Sequence, residues 1–295
     1  MQYVIGTRGS KLALFQAGEV FHMIHDKAPE VNIEIKIIKT LGDRKPDLNL
    51  LTSEGKGVFC SDIEKALLNG EIDLAVHSIK DLPGSLPDGL VLAAFLERED
   101  PREVLVSREG CKFVELPVGA RIGTSSVRRL MQLRNKRPDL VYLPIRGNVE
   151  TRIHKVMTGE FDATILALAG IRRLGLEETI SEYFPVTEII PAPGQGCIGV
   201  EVREKDIELR KLMKTINHEP TATQVLAERA FLQKINGNCE TAAGVYTRIK
   251  EGMLELTGLF GKADGQLKKA FVCGSSDKPE KLGLELAERL LKTGS

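Results

Sequence analysis

Short β-branched segments alternate with helical segments over the first 200 residues, and this alternation limits the fold more than any other feature of the chain. Segments such as "YVIGT" and "VNIEIKIIKT" predict strands, whereas "KLALFQAGEVFHMIHDKAP" predicts an amphipathic helix. Alternation of this kind is typical of α/β layering. In open α/β sheets the ends of strands and the starts of helices face one crevice, where ligands collect. The residues at those turns therefore carry most of the functional information.

Changes of pattern divide the chain, whose 295 residues are enough for two or three compact domains. The charged segment "REDPRE" (98–103) indicates a crossing into a second α/β unit. The segment "PAPGQG" (191–196) indicates a second junction, after which "IGVEV" returns to the first sheet. From about residue 218 the pattern becomes a helix, three strand-like runs and a final helix. We expect domain 1 over 1–97 and 193–217, domain 2 over 98–192, and a smaller α+β domain 3 over 218–295.

Charge and cysteine content argue against several classes of protein. The 41 basic and 41 acidic residues give a net charge of zero, which disfavours a general nucleic-acid or membrane binder. Five cysteines without a CxxC pair favour reduced thiols over a disulfide framework or a metal site. No stretch is apolar enough to span a bilayer and the N-terminus lacks a secretory leader, so we expect a cytoplasmic protein.

The segment "GTSSVRRL" (123–130) places Arg128 and Arg129 in the expected first turn of a helix, where the helix dipole disfavours positive charge. Other strand-to-helix turns repeat this arrangement of cations with glycine and hydroxyl groups. They carry Arg8 and Ser10, Lys56, Ser78 and Lys80, Arg146 and Arg152, and Arg172 and Arg173. Because such turns bind carboxylate or phosphate well, we predict a cleft for an anionic small molecule that offsets the arginines. The spacing of a nucleotide-binding loop is absent.

Two further residues stand apart from the cationic set. Asp81 follows Lys80, and it either neutralises the cations as scaffolding or does proton and charge work on the ligand. Cys239 lies in the polar turn "NGNCET", where a thiol is accessible. Cys60 and Cys273 lie in apolar contexts that are typical of core packing.

A series of motifs resembles, in the same order along the chain, those of the hydroxymethylbilane synthase (porphobilinogen deaminase) family. They are "GTRGSKLAL", "GKGVF", "AVHSIKDLP", "EREDPR", "GTSSVRR", "IRGNVETR", "LALAGIRRLGL", "PAPGQG", "INHEPT" and "AERAF". The resemblance implies an α/β fold with two domains like those of type II periplasmic-binding proteins, a cleft between them, and a smaller α+β C-terminal domain. It also implies the stepwise joining of four porphobilinogens with loss of ammonia, followed by hydrolytic release of the linear tetrapyrrole.

The resemblance further implies a role for individual residues. Cys239 would hold a dipyrromethane primer through a thioether. Asp81 would hold pyrrole N–H groups and stabilise the cation formed as ammonia leaves, or assist the departing amine as an acid. The family's primer-binding residues fall on Lys80, Ser126, Arg128, Arg129 and Arg152. Its substrate-binding residues fall on Arg8, Ser10, Thr124, Arg146, Arg173 and Gln195, and Lys56 falls on a loop expected to be mobile.

Two functions of other classes compete with this one. A two-lobed anion-binding or sensor protein explains the arginines and "PAPGQG", but it explains neither Asp81 nor an added domain with Cys239. Nucleic-acid binding through the basic helix "VRRLMQLRNKR" conflicts with the zero net charge and the 5% aromatic content. We therefore expect a monomer that binds porphobilinogen, with no nucleic-acid or membrane partner.

Overall fold

A five-stranded mixed sheet forms the core of the first lobe in the computed structural model, which describes residues 2–40, 60–235, 242–261 and 266–292. In spatial order its strands are β2 (Asn32–Ile37), β1 (Gln2–Thr7), β3 (Leu74–Ser78), β10 (Ile198–Arg203) and β4 (Leu90–Phe95). The first three strands are parallel, and β10 runs antiparallel to both of its neighbours. The expected return of "IGVEV" to the first sheet is therefore confirmed.

Three helices cover this first sheet. They are α1 (Lys11–Lys27), α2 (Ser61–Leu68) and α6 (Ile207–Lys214). Helix α1 starts where the sequence predicts, because the Ser10 hydroxyl accepts a hydrogen bond from the Ala13 N–H at 3.3 Å and caps the first turn. Its apolar face buries Val20 and Ile24 completely against the sheet. The pattern of the sequence did not reveal α6, which is short and strongly charged.

A second five-stranded sheet repeats the arrangement in the second lobe. Its strands in spatial order are β7 (Val141–Leu143), β6 (Arg121–Gly123), β8 (Ala163–Ala167), β5 (Glu103–Ser107) and β9 (Glu182–Phe184). Its helices are α3 (Val127–Lys136), α4 (Val149–Met157) and α5 (Leu168–Arg173). As in the first sheet, the fourth strand is antiparallel to both neighbours. Each antiparallel strand follows one of the two chain crossings between the lobes, so the two lobes are built alike.

The C-terminal unit is a three-stranded antiparallel sheet covered on one face by two helices. Its elements are α7 (Glu219–Lys234), β11 (Ala243–Lys250), β12 (Met253–Gly261), β13 (Leu267–Ser275) and α8 (Pro279–Lys292). Phe231, Leu256 and Leu286 are fully buried between the layers. Cys273 was expected in this core, but that expectation is wrong: it alternates with the buried Val272 on β13 and faces solvent.

The fold class expected from the sequence is confirmed by these three sheets. Two α/β lobes of matching strand order are followed by a smaller α+β unit. Within the described part of the chain, no helix has both the length and the apolar character needed to cross a membrane.

A buried ion pair joins the three units where the chain crosses between the lobes. Arg98, in the first crossing, contacts Glu228 of α7 through two hydrogen bonds of 2.6 and 3.1 Å. Glu228 also accepts from the N–H of Gly194, in the second crossing, and from the hydroxyl of Thr247 on β11. The Glu228 side chain is 0% exposed. We call this set (Arg98, Gly194, Glu228 and Thr247) the crossing junction.

The crossing junction predicts a large stability loss for Glu228→Gln. The substitution keeps the size of the side chain but leaves the buried Arg98 guanidinium without its counter-charge, which costs roughly 3–5 kcal/mol. Chemical denaturation followed by circular dichroism measures the loss. The matched control is Glu285→Gln, whose partner Arg289 lies one turn along the exposed face of α8 at 2.7 Å; this pair contributes about 0.3–0.5 kcal/mol. Equal losses in the two variants would contradict the prediction.

Candidate active site between the two lobes

A short turn at the end of β3 presents Lys80 and Asp81 to the cleft. The turn spans Ile79–Asp81, and the Ile79 N–H donates to the Cys197 carbonyl of the second crossing at 3.1 Å. The Ile79 side chain is buried against Gly194 and Gly199, where an added Cβ would overlap it. Ile79 therefore anchors the turn, while Asp81 stays exposed and Lys80 is half-buried.

The start of α3 faces this turn from the second lobe. The Ser126 hydroxyl accepts from the Arg129 N–H at 3.4 Å and caps the helix. The Thr124 hydroxyl in turn accepts from the Ser126 N–H at 3.2 Å. Both hydroxyl groups that the sequence assigned to ligand binding thus also shape the loop. The loop places Arg128 and Arg129 in the first turn, as predicted.

An internal carboxylate, Glu103, pairs with both of these arginines. Its Oε1 accepts from Arg128 Nη2 at 2.6 Å and from Arg129 Nε at 3.1 Å, and its Oε2 accepts from Arg129 Nη2 at 2.8 Å. Arg128 Nη1 donates to the Ile190 carbonyl at 2.8 Å. The sequence predicted a ligand as the counter-charge of the two arginines, whereas Glu103, the first residue of β5, supplies part of it from within the protein. The signal was available, since a glutamate opening a fully buried strand needs a cationic partner.

The ionisation of Glu103 follows from this pairing. Its side chain is 0% exposed. Burial raises the pKa of the carboxyl, but the charges of Arg129 and Arg128 outweigh that effect and lower its pKa to about 2. Glu103 is therefore ionised at neutral pH and compensates part of the charge that α3 brings into the cleft.

The remaining cations lie close enough to influence one another. Burial, reinforced by Arg129 and opposed by Asp81, lowers the pKa of Lys80. Burial together with Arg129 and Arg146 lowers the pKa of Arg152 to about 10, against the opposing charge of Asp81. Lys80, Asp81, Arg129, Arg146 and Arg152 thus form one cluster with Arg128 and Glu103, and its cations outnumber its carboxylates. An anionic ligand would relieve the excess.

Arg173 and Gln195 occupy the inner end of the cleft. Arg173 Nη2 donates to the Gly196 carbonyl at 3.0 Å, and its Nε lies 3.3 Å from a carboxylate oxygen of Glu19 on α1. Burial lowers the pKa of Arg173. Gln195 is fully buried and donates from Nε2 to the Pro101 carbonyl at 2.7 Å. Gln195 therefore ties the second crossing to the first.

The two lobes touch across the cleft. Besides the Arg173–Glu19 pair, Lys11 on α1 contacts Glu150 on α4 at 2.7 Å. Between these contacts lies a cavity of about 20 Å³, which holds about one water molecule. Its polar lining consists of Gln16, Ser78, Lys80 and Arg173. Gln16 was not predicted; its side-chain amide hydrogen-bonds to the Ser78 hydroxyl at 2.8 Å.

The other predicted site residues differ in what the structure shows of them. Ser10 caps α1, and the half-buried Arg8 lies in the turn between β1 and α1. Lys56 and Cys239 lie outside the described residues. Ala242, three positions after Cys239, and Met131 of α3 both border Gly261. The described chain after Cys239 therefore resumes beside the helix that carries Arg128 and Arg129.

Comparisons with known proteins give matches over nearly the whole chain. A family model described as the dipyromethane cofactor binding domain of porphobilinogen deaminase matches residues 3–211, and one for the C-terminal domain of that enzyme matches residues 222–292. The porphobilinogen deaminase of Syntrophomonas wolfei is 47% identical over 294 residues, 98% of this chain and 95% of that protein. That of Carboxydothermus hydrogenoformans is 46% identical over 295 residues, 100% of this chain and 95% of that protein.

Among solved structures, the chain is similar to the effector binding domain of BenM, at 15% identity and a TM-score of 0.46 over 73% of this chain and 90% of that one. Two family models cover nearly the whole length, and relatives at 46–47% identity span it end to end. The chain belongs to the porphobilinogen deaminase family, as the order of its motifs predicted.

Proposed function

We propose that the chain is a hydroxymethylbilane synthase, which joins four porphobilinogens head to tail with loss of four ammonia molecules and then releases the linear tetrapyrrole by hydrolysis. The observation that carries this proposal is the cluster of buried and half-buried cations around Asp81. Each pyrrole unit of the substrate bears an acetate and a propionate, so a growing chain is a string of carboxylates. A cleft with excess positive charge and an exposed carboxylate at Asp81 suits that ligand.

The cluster also fits the dipyrromethane primer of this family, which carries four carboxylates on two pyrrole rings. We propose that it is attached through a thioether to Cys239 and held by Lys80, Ser126, Arg128, Arg129 and Arg152. Guanidinium groups pair with carboxylates in a bidentate manner, and the low polarity of a half-buried site strengthens each pair. When bound, the primer supplies the free pyrrole carbon to which the first substrate unit is added.

Asp81 is the proposed catalytic residue. Its exposed carboxylate lies at the end of a turn that Ile79 anchors, near the charges of Lys80 and Arg152. An ionised carboxylate accepts hydrogen bonds from pyrrole N–H groups. It also stabilises the positive charge that develops on the incoming unit when its C–N bond breaks and ammonia leaves. In this assignment Asp81 orients the substrate and stabilises the cation.

The incoming and growing units are proposed to contact Arg8, Ser10, Thr124, Arg146, Arg173 and Gln195. Arg173 is the member that depends most on lobe position, because it now pairs with Glu19 across the cleft. Movement that separates the lobes would break this pair. Separation would free Arg173 for a substrate carboxylate.

We also propose the domain limits given above, with the crossings as boundaries, and a monomer that works in the cytoplasm. Two observations support these assignments. Strand β10 (Ile198–Arg203) lies in the first sheet although it follows the second lobe in sequence. The four described cysteines are free thiols, as expected in a reducing compartment.

The proposed attachment predicts the mass of the purified protein. Intact-mass spectrometry should show an excess equal to a two-pyrrole adduct, and peptide mapping should place it on Cys239. Cys239→Ser should lack the adduct and the activity. Cys273→Ser, which removes an exposed thiol from β13, is the matched control and should keep both. A folded wild-type protein of unmodified mass would favour an anion-binding protein that does no chemistry.

Asp81→Asn separates catalysis from primer attachment. The amide retains the size of the side chain but not the charge, so turnover should fall by at least about 10²- to 10³-fold, the scale of losing one electrostatic group in an active site. The adduct on Cys239 should persist. Steady-state assay of porphobilinogen consumption measures the effect, with the exposed Asp88→Asn as the control. Near-normal turnover would remove Asp81 from its assigned role.

A further inference from the structure

We propose that Glu103 is a positioning residue for primer binding, the internal counter-ion that holds Arg128 and Arg129 in the geometry a ligand carboxylate requires. This inference rests on the proposed function and adds a residue to its machinery. Glu103 does not itself face the ligand. It acts through the two guanidinium groups that it contacts.

The hydrogen bonds divide the two arginines into different roles. Both Nη atoms of Arg128 are occupied, one by Glu103 and one by the Ile190 carbonyl. Arg129 uses Nε and Nη2 on Glu103, and its Nη1 has no protein partner within the described residues. Arg129 therefore offers a donor that Glu103 aims, whereas Arg128 contributes mainly charge. The side chains are 5% and 9% exposed for Arg128 and Arg129, so neither is free to adopt many rotamers.

The surroundings of Glu103 tie this geometry to both crossings. Glu103 is the first residue after the first crossing, and Ile190 immediately precedes "PAPGQG" in the second. Gln132, one turn further along α3, accepts from the Ile190 N–H at 2.8 Å and donates to the Ile190 carbonyl at 3.1 Å. The first turn of α3 is thus held at two backbone points, and the ion pairs set the direction of the guanidinium groups.

The charge balance explains why a carboxylate is needed at this position. Two guanidinium groups in the first turn of α3 repel each other and the positive end of the helix dipole. Lys80 and Arg152 add to that repulsion from the facing turn and from α4. Without Glu103 the arginines would turn toward solvent to regain hydration, and the ligand would meet them in altered positions. The buried carboxylate removes that alternative before any ligand arrives.

The test compares Glu103→Gln, Glu103→Asp and the control Glu188→Gln, which breaks an exposed pair with Lys136 at the other end of α3. Each protein is produced in cells that cannot make porphobilinogen and is then incubated with porphobilinogen. Intact mass gives the rate of adduct formation on Cys239. Loading should slow roughly 10- to 100-fold in Glu103→Gln, the effect of misplacing one charged hydrogen bond. Glu103→Asp, which keeps the charge on a shorter stem, should lie between it and wild type.

A second measurement separates positioning from general loss of structure. The loaded fraction of Glu103→Gln, isolated by anion exchange, should consume porphobilinogen with the wild-type KM, because Glu103 acts on the primer-binding arginines. Loss of structure in the cleft would instead raise the KM of the loaded fraction.

The outcomes distinguish this inference from the proposed function. Wild-type loading rates in a folded Glu103→Gln protein would overturn the role of Glu103 and leave the proposed function intact. If Glu103→Gln does not fold, Glu103→Asp decides. A wild-type loading rate in Glu103→Asp at the wild-type melting temperature would also overturn the role of Glu103. A wild-type protein that never acquires the adduct would overturn both.

Discussion

Arg98 and Glu228 form the buried ion pair on which the arrangement of the three units depends. Glu228 comes from the C-terminal unit, Arg98 from the first crossing, and the Gly194 N–H that also binds Glu228 comes from the second. The main-chain N–H of Val245 adds a further bond, to the Pro191 carbonyl at 3.0 Å. Both crossings are held against the C-terminal unit at the crossing junction. Movement of either lobe therefore pivots at this junction. The cleft lies directly beyond that point.

The same physical device operates twice within the protein. At the crossing junction the Glu228 carboxylate pairs with one buried guanidinium group. At the start of α3 the Glu103 carboxylate pairs with two guanidinium groups. The difference has a functional consequence. A matched pair is electrically complete and holds structure together, whereas Glu103 leaves its arginines with uncompensated charge that a ligand can complete. Burial strengthens both, because charges in a protein interior are less screened than charges in water.

Much of this site was predictable because strand ends and helix starts converge in α/β folds. Lys80, Arg129 and Arg152 come from three different turns, yet they lie close enough together that the charge of Arg129 helps to lower the pKa of both Lys80 and Arg152. The alternation of β-branched and helical segments located most elements, and the Ser10 and Ser126 caps located two helix starts. Sequence motifs identified the family before any contact was known.

Partners distant in sequence were not predictable from local pattern. Nothing near "GTSSVRRL" indicates that Glu103 is its counter-ion, because that pairing depends on how β5 joins the second sheet. Cys273 was misplaced for a related reason, since an apolar neighbourhood in sequence does not say which face of a strand is covered. The bond from the Gln195 amide to the Pro101 carbonyl of the first crossing was not predictable either, because it joins residues 94 positions apart.

Under the proposed substrate contacts, closure of the lobes and ligand binding compete for the same group, Arg173. Arg173 pairs with Glu19 in the closed arrangement, and it is also one of the cations assigned to substrate carboxylates. A ligand carboxylate entering the cleft would therefore replace Glu19 as the partner of Arg173. The exchange substitutes one charge pair for another, so the net electrostatic change is small while the lobes separate. Lys11 and Glu150, at the exposed edge of the same interface, contribute little to closure because water screens them. In the proposed function, each added unit would bring two further carboxylates to a cleft whose cations outnumber its carboxylates.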